Sequence, residues 1–505
     1  MSSPTTLQHN FLQCLTSNSQ PQFPISDAIF TPNNSSFLPV LNSYIRNLRF
    51  QTPTTPKPLL IVTPKHQSHV QSTVVCAKRV GLQIRIRSGG HDYEGLSYVS
   101  QQPFIILDLF NLRAINVDIP TETASVEAGA TMGELYYAIA KQSKVHAFPG
   151  GICPTLGAGG HISGGGYGNM MRKFGLAIDN ILDAQIVNVE GKILNRQQMG
   201  EDLFWAIRGG GGGSFGVILS WKIKLVQVPS IVTVFDVERK IEEGATDVVE
   251  EWQQVMDKLD ENLFIRLMMH SSKGKNGQKT GKATLMALFL GPVEKLMEII
   301  NQNIPSLKLQ KQECIEMNWI ESVLFWANFP NGTAPEALLK RETPSVPFLK
   351  RKSDYVREPI SKEGIEAIWK AIMEIEEVGL TCNPYGGRMS EISETATPFP
   401  HRAGVKFKIQ YSANWKEGGD QEAQKEIDLA RRLYEAMTPY VTKNPREAFL
   451  NYRDIDVGSS SHWSLEEGRV YGEKYFKGNF ERLVNVKTKV DPQNFFRNEQ
   501  SIPTR

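Results

Sequence analysis

Two reactive side chains stand in the first third of this 505-residue chain among residues with almost no side chain of their own. The stretch PGGICPTLGAGGHISGGGYGNMMRKFG holds ten glycines from Gly150 to Gly175, interrupted by the thiol of Cys153 and the imidazole of His161. A second imidazole, His91, follows a glycine pair in RSGGHDYEG, and a third glycine run, RGGGGGSFG, occupies residues 208–216. Glycine lets backbone N–H groups approach a flat or phosphorylated ligand closely, and a neighbouring thiol can bond to that ligand. Three such clusters on strand and helix connections point to a large ligand whose phosphates and ring lie along the backbone.

The common nucleotide signatures are absent. No GxGxxG can be written in the central cluster, because Ile162 and Asn169 fall where its third glycine belongs. No Gly-Lys pair is followed by Ser or Thr, so a GxxxxGK[ST] loop is excluded. His91, Cys153 and His161 have two competing readings. As a metal site they lack a fourth ligand, and flanking glycines would hold ligands poorly. As a thiol–imidazole pair they would be a nucleophile and its base.

The elements that must position these residues follow from periodicity. PLLIVTP reads as a strand, KHQSHVQSTVVCAKRVG as a helix stopped by Gly81, and LQIRIRSGG as a strand entering a glycine turn. FIILDL and ASVEAGA are strands, TMGELYYAIAKQSK is a helix capped by Thr131, and ILDAQIVNVEGKIL is a hairpin with a Glu-Gly turn. From about Pro229 a new pattern begins, with long apolar strands such as LFIRLMMHSS and ATLMALFLG alternating with amphipathic helices. SSKGKNGQKTGK reads as a solvated hairpin tip, and GEKYFKGNFERLVNVKTKVDPQNFF as a helix stopped by Asp491-Pro492. In VKFKIQYSANW the alternation puts Lys406, Lys408 and Gln410 on one strand face and Phe407 and Ile409 on the other. Lys406 there reads as solvated. The expected class is α+β, a cofactor-binding domain at 1–229, a sheet-and-helix domain at 230–449, and a C-terminal segment 450–505 returning to the first domain.

Bulk composition narrows the function. The 56 basic and 54 acidic residues nearly cancel, and no cationic run dominates, so nucleic acid and acidic lipid are not expected partners. No apolar stretch reaches the length of a membrane span. The N-terminus lacks a basic segment followed by an apolar one, so no signal peptide is expected in this chain. Sequons at Asn33, Asn34 and Asn331 nevertheless point to the secretory pathway, which a mature secreted chain begun with Met would reconcile. Five cysteines show no CxxC pair, and Cys14 and Cys76, both on helical segments, are disulfide candidates.

Against this background RSGGHDYEGLSY, CPTLGAGGHISGGGYGNMMRKFGL, GEDLFWAIRGGGGGSFGV and the terminal QSIP resemble the plant berberine-bridge-enzyme-like flavoproteins of the vanillyl-alcohol-oxidase (PCMH-type) class, from about Leu12 to Pro503. The resemblance implies FAD attached twice, through a histidine matching His91 to the flavin 8α carbon and a cysteine matching Cys153 to ring C6. It implies a pyrophosphate cradle at Ser88, Gly89 and Gly90, with Asp92, Gly157, Gly160, His161, Gly165 and Val217 near the dinucleotide. On the substrate side it singles out Tyr93, Tyr167, Lys408, Gln410 and Tyr452. Tyrosine, with an ordinary pKa of about 10, is a poor base unless a cation such as Lys408 stabilises its phenolate. Gln410 occupies the place of the glutamate base of alkaloid-cyclising members, which favours alcohol or lactol oxidation over phenol cyclisation. Leu156 matches a position that controls oxygen access. The function implied is an FAD-linked oxidase or dehydrogenase of a small-molecule alcohol, aromatic, allylic or sugar, in a secreted monomeric glycoprotein of apoplast or vacuole, with oxygen or another electron acceptor. The alternative is a non-redox cyclase in which the flavin is a structural wall.

Overall fold

A computed structural model describes residues 3–274, 276–342 and 346–505. Three large sheets organise the described residues, beside a two-stranded one of His146–Ala147 and Val226–Gln227. The first has four strands in the order Ile29–Phe30, Ile61–Val62, Phe104–Asp108, Gln83–Arg87, the last three parallel. The second is antiparallel with five strands, ordered Ile115–Asp118, Thr123–Glu127, Val217–Lys224, Ile181–Val187, Ile193–Leu194. The third has seven antiparallel strands: Cys314–Met317, Val232–Lys240, Lys279–Phe289, Leu263–Lys273, Val378–Pro384, Phe407–Trp415 and Phe348–Val356. Parallel pairing in the first sheet, with the helix Gln67–Val80 on its connection, and antiparallel pairing elsewhere make the fold α+β.

Local chemistry explains most boundaries. Thr131 caps the helix Met132–Gln142 and Glu134 reaches back to the Thr131 N–H at 2.8 Å, a reciprocal capping box. The helix Gln67–Val80 ends on Gly81, whose φ of 75° is the left-handed conformation glycine adopts without a Cβ penalty. Its Cys76 bonds Cys14 of the helix Pro4–Asn18, so the expected disulfide forms. In the helix Lys362–Ile375, Ile365, Ile368, Trp369 and Ile372 recur at helical spacing and bury against the seven-stranded sheet, each stabilising by about 1.5–3 kcal/mol. The opposite sheet face turns toward the glycine clusters, and the site forms between them.

Two expectations change. The tail is two helices, Leu465–Phe476 and Phe480–Val490, because the chain turns at Lys477 with a φ of 49°. That turn folds the Phe480 ring onto Gly472, where a Cβ would lie 2.2 Å from it. Lys406 is not solvated: its Nζ pairs with Asp257 at 3.1 Å and its side chain is only 12% exposed. The basic hairpin joining Leu263–Lys273 to Lys279–Phe289 is present, with its Lys275 outside the described residues.

The C-terminal segment is sewn into the first part of the chain. Arg85 pairs with Glu499 at 2.6 Å, Gln83 donates to the Arg497 carbonyl, and buried Lys487 donates to the Ser214 carbonyl of the third glycine run. A buried ion cluster adds a second seam. Lys350 meets Glu94 at 2.5 Å and Asp454 at 2.6 Å, while Lys352 meets Asp454 and Asp456. Both lysines are 2% exposed. Removing one partner from such a cluster leaves carboxylates buried without compensation, so Lys350→Met should cost about 3–5 kcal/mol. Urea unfolding followed by tryptophan fluorescence checks this, and an unchanged midpoint would show that the cluster contributes nothing net.

Candidate active site

Between the glycine clusters and the seven-stranded sheet lies a cavity of about 450 Å3. Its floor is backbone. Gly89 and Gly157 lie so close that a Cβ on Gly89 would stand 2.4 Å from the Gly157 nitrogen, so both must be glycine. Gly160 and Gly213 are exposed, line the cavity and face open space: a Cβ at either would meet no protein atom within 4 Å. Ser88 lines the floor while its hydroxyl donates to the Ala128 carbonyl at 2.6 Å. Asp92 lines it too, its carboxylate held by Arg453 at 2.8 Å and by the N–H groups of Glu94 and Leu96.

At one end His91 and Cys153 converge on the same hydroxyl. Thr155 Oγ1 is 2.9 Å from His91 Nε2 and 3.4 Å from Cys153 Sγ. Burial, with help from Arg46 and His161, pushes the His91 imidazole down to about 3, so it is neutral at physiological pH. His161 Nε2 accepts a hydrogen bond from the Gly151 N–H at 2.8 Å, which fixes this ring as a clamp on the loop before Cys153. Burial and the nearby Lys408 hold it down at about 4. Gly165 and Val217 stand one layer back: Gly165 against the Phe449 ring, Val217 fully buried in its strand between the lining residues Gly216 and Ile218. Leu156 lines the cavity beside Gly151.

The opposite wall is aromatic. Tyr93, Tyr167, Gln410 and Tyr452 all line the cavity. Gln410 Nε2 donates to the Tyr93 hydroxyl at 2.9 Å, and the Tyr167 and Tyr452 hydroxyls share a short hydrogen bond. Burial pushes Tyr93 up to about 12 and Tyr452 well above the ordinary phenol range, with the neighbouring tyrosine oxygens adding to both. Behind these rings stands Lys408, fully buried, its Nζ without a hydrogen-bond partner. Its Nζ lies 3.2 Å from the Tyr167 ring centre, 4.0 Å from Phe449 and 4.3 Å from Tyr452, a cage of three ring faces. Burial, and secondarily Arg266, lower its proton affinity.

The structure thus gathers the five substrate-side residues singled out from sequence, and adds others. Phe449 completes the cage, three residues before Tyr452 in FLNY. Arg266 reaches the Tyr167 hydroxyl at 3.4 Å and bonds Asn383 at 2.9 Å. As the lone charge in the apolar strand LFIRLMM, it carried a readable signal. Arg351, beside the Tyr93 ring, comes from the edge strand Phe348–Val356 and carried none.

A glycine floor, an imidazole and a thiol meeting at one end, and an aromatic wall suit a flavin, and the residues fit FAD: Gly160 and Gly213 leave room that a Cβ would fill. A family model described as an FAD binding domain matches residues 58–196, and one described as berberine and berberine like matches residues 448–503. Berberine bridge enzyme-like 14 of Arabidopsis thaliana is 57% identical over 99% of this chain and 94% of its own length. The solved structure of BBE-like #28 from Arabidopsis thaliana superposes with a TM-score of 0.92 at 46% identity, covering 98% of this chain and 100% of that one. Phl p 4, a grass pollen allergen with glucose dehydrogenase activity, does so at 0.92 and 43% identity, covering 98% and 99%. The chain belongs to the berberine bridge enzyme-like family of FAD-binding oxidoreductases. Among the described residues no group of His, Cys, Asp and Glu could hold a metal ion, and no helix is long and apolar enough to cross a membrane.

The glycine floor makes a direct prediction. Gly160→Leu should fold, since its Cβ meets nothing, yet its side chain should occupy the cofactor's place. Purified protein is expected to keep its circular dichroism and lose at least half its flavin absorbance; wild-type flavin content would show that the floor lies elsewhere.

Proposed function

We propose that this chain oxidises the CH–OH group of a small metabolite, an aromatic or allylic alcohol or a sugar, through FAD tethered to His91 and Cys153. FAD, when bound, supplies the two-electron acceptor that takes the hydride. The single observation carrying the reading is the caged Nζ of Lys408 against Tyr167. A cation on the face of a phenol ring stabilises negative charge that develops there during proton transfer, so Lys408 supports Tyr167 as the partner of the substrate hydroxyl proton. Arg266 adds a second cation within reach of the same oxygen. Tyr167 takes the substrate hydroxyl proton, and Tyr452, hydrogen-bonded to it, fixes its orientation. Tyr93 stays a neutral phenol, and with Gln410 it offers a donor and an acceptor that orient the alcohol. With glutamine there, the wall has no carboxylate at this position to drive phenol cyclisation.

The acceptor side rests on Leu156. Phl p 4 is a glucose dehydrogenase as the wild type and a glucose oxidase as a variant with one isoleucine-to-valine change. In this fold one aliphatic side chain can therefore separate oxygen from other acceptors. Leu156, with its branched end against Gly151, is proposed to slow oxygen in the same way. The disulfide Cys14–Cys76 and the exposed Asn33, Asn34 and Asn331 support a secreted glycoprotein.

An anaerobic panel of alcohols and sugars tests the reading. One class should bleach the flavin, and Lys408→Met should slow bleaching about 10²–10⁴-fold. Turnover with a flavin that stays oxidised would establish the non-redox alternative. For the acceptor, Leu156→Val should raise the rate of oxygen reaction after reduction about tenfold or more, measured by stopped flow. An unchanged rate would remove Leu156 from the oxygen path.

A further inference from the structure

Thr155 has no part in the chemistry so far, yet its hydroxyl is where the two tether candidates meet. It follows Cys153 by two residues, is 6% exposed, and touches His91 Nε2 at 2.9 Å and Cys153 Sγ at 3.4 Å. Its loop is held rigidly. The Gly133 N–H donates to the Pro154 carbonyl at 2.8 Å, and the Leu156 N–H to the Cys153 carbonyl at 3.2 Å. The Tyr136 hydroxyl donates to the Gly151 carbonyl at 2.8 Å.

A threonine hydroxyl has one proton to donate and two lone pairs to accept with. His91 is neutral, so its ring carries a single N–H. With the proton on Nε2, the ring donates to Thr155 Oγ1, and the hydroxyl proton is left to point at the Cys153 sulfur. Nδ1 then keeps an open lone pair. With the opposite tautomer the hydroxyl would be spent on Nε2, the sulfur would lose its donor, and Nδ1 would be blocked by hydrogen. Only the first arrangement both gives the sulfur a donor and leaves Nδ1 a lone pair with which to bond carbon.

We propose that Thr155 is the positioning residue for both attachments: it sets the His91 tautomer so that Nδ1 bonds carbon, and it aims Cys153 Sγ. The proposal rests on the reading of His91 and Cys153 as tethers. In each attachment one C–H and one N–H or S–H are replaced by a C–N or C–S bond. The two electrons and two protons released pass to dioxygen, giving hydrogen peroxide.

The test expresses wild type, Thr155→Val, Thr155→Ser and Thr155→Ala, precipitates each with acid, and measures by peptide mass spectrometry the flavin carried on His91 and on Cys153. Wild type is expected to hold flavin on both. Thr155→Val, which keeps the shape and loses the hydroxyl, should lower double attachment about tenfold, and Thr155→Ser should restore it. Wild-type attachment in Thr155→Val overturns the proposal. Where valine is not tolerated by the fold, the Ser and Ala variants read the same hydroxyl, and equal attachment in those two overturns it. Free flavin in the wild-type supernatant is a different result: it overturns the tether reading itself, and the proposal with it.

Discussion

A buried lysine without a hydrogen-bond partner is the constraint around which this molecule is arranged. Lys408 loses its hydration and receives in return three ring faces, Tyr167, Phe449 and Tyr452. Each face returns about 0.5–2 kcal/mol in a desolvated setting, against a desolvation penalty of several kcal/mol. The balance is a lysine whose proton is held less tightly than usual and whose charge is spent on its neighbours' rings. That cage needs three remote segments at once: the glycine run for Tyr167, the strand Phe407–Trp415 for Lys408, and the returning FLNY turn for Phe449 and Tyr452. The register of the seven-stranded sheet sets Tyr355 and Asn383 directly beside Lys408, so no water-filled gap is needed to seat it.

The buried ion cluster serves the same end from outside. Glu94 follows Tyr93 in the chain, and Asp454 lies two residues after Tyr452. Pinning both carboxylates on Lys350 fixes the loops that carry these two wall tyrosines. Opposite them the floor uses the reverse strategy, removing side chains where Gly89 and Gly157 cross and where Gly160 and Gly213 face the cavity. The wall is therefore polar chemistry presented by rings, and the floor is polar chemistry presented by backbone. A planar cofactor fits between two such surfaces without deep side-chain packing on either.

Much of this was legible in sequence because its signals are local. Alternation along VKFKIQYSANW placed Lys408 and Gln410 on one face, Thr131 and Glu134 announced a helix start, and Gly81 announced a helix end. The five residues that gather at the aromatic wall, and the meeting of His91 with Cys153, were legible as a family pattern, each a short motif. What failed was where a local signal had a tertiary competitor. The helical reading through YFKGNFERL hid the turn at Lys477, where Phe480 packs onto Gly472 instead of continuing one helix. Lys406 read as solvated because Asp257 lies 149 residues away, out of reach of any local pattern.

By itself, then, the sequence determined the repertoire: glycines where backbone must come close, a thiol and an imidazole able to bond, and tyrosines paired with one lysine. Periodicity and capping, interactions spanning a few residues, were enough for that. Tertiary structure alone decided the pairings. It put Lys408 behind the rings rather than in the cavity, brought Phe449 and Arg266 to Tyr167, and placed the Thr155 hydroxyl between His91 and Cys153. The reason is physical: hydrogen bonds and cation–ring contacts act over a few ångströms in space, and the groups they join here are separated by up to hundreds of residues along the chain.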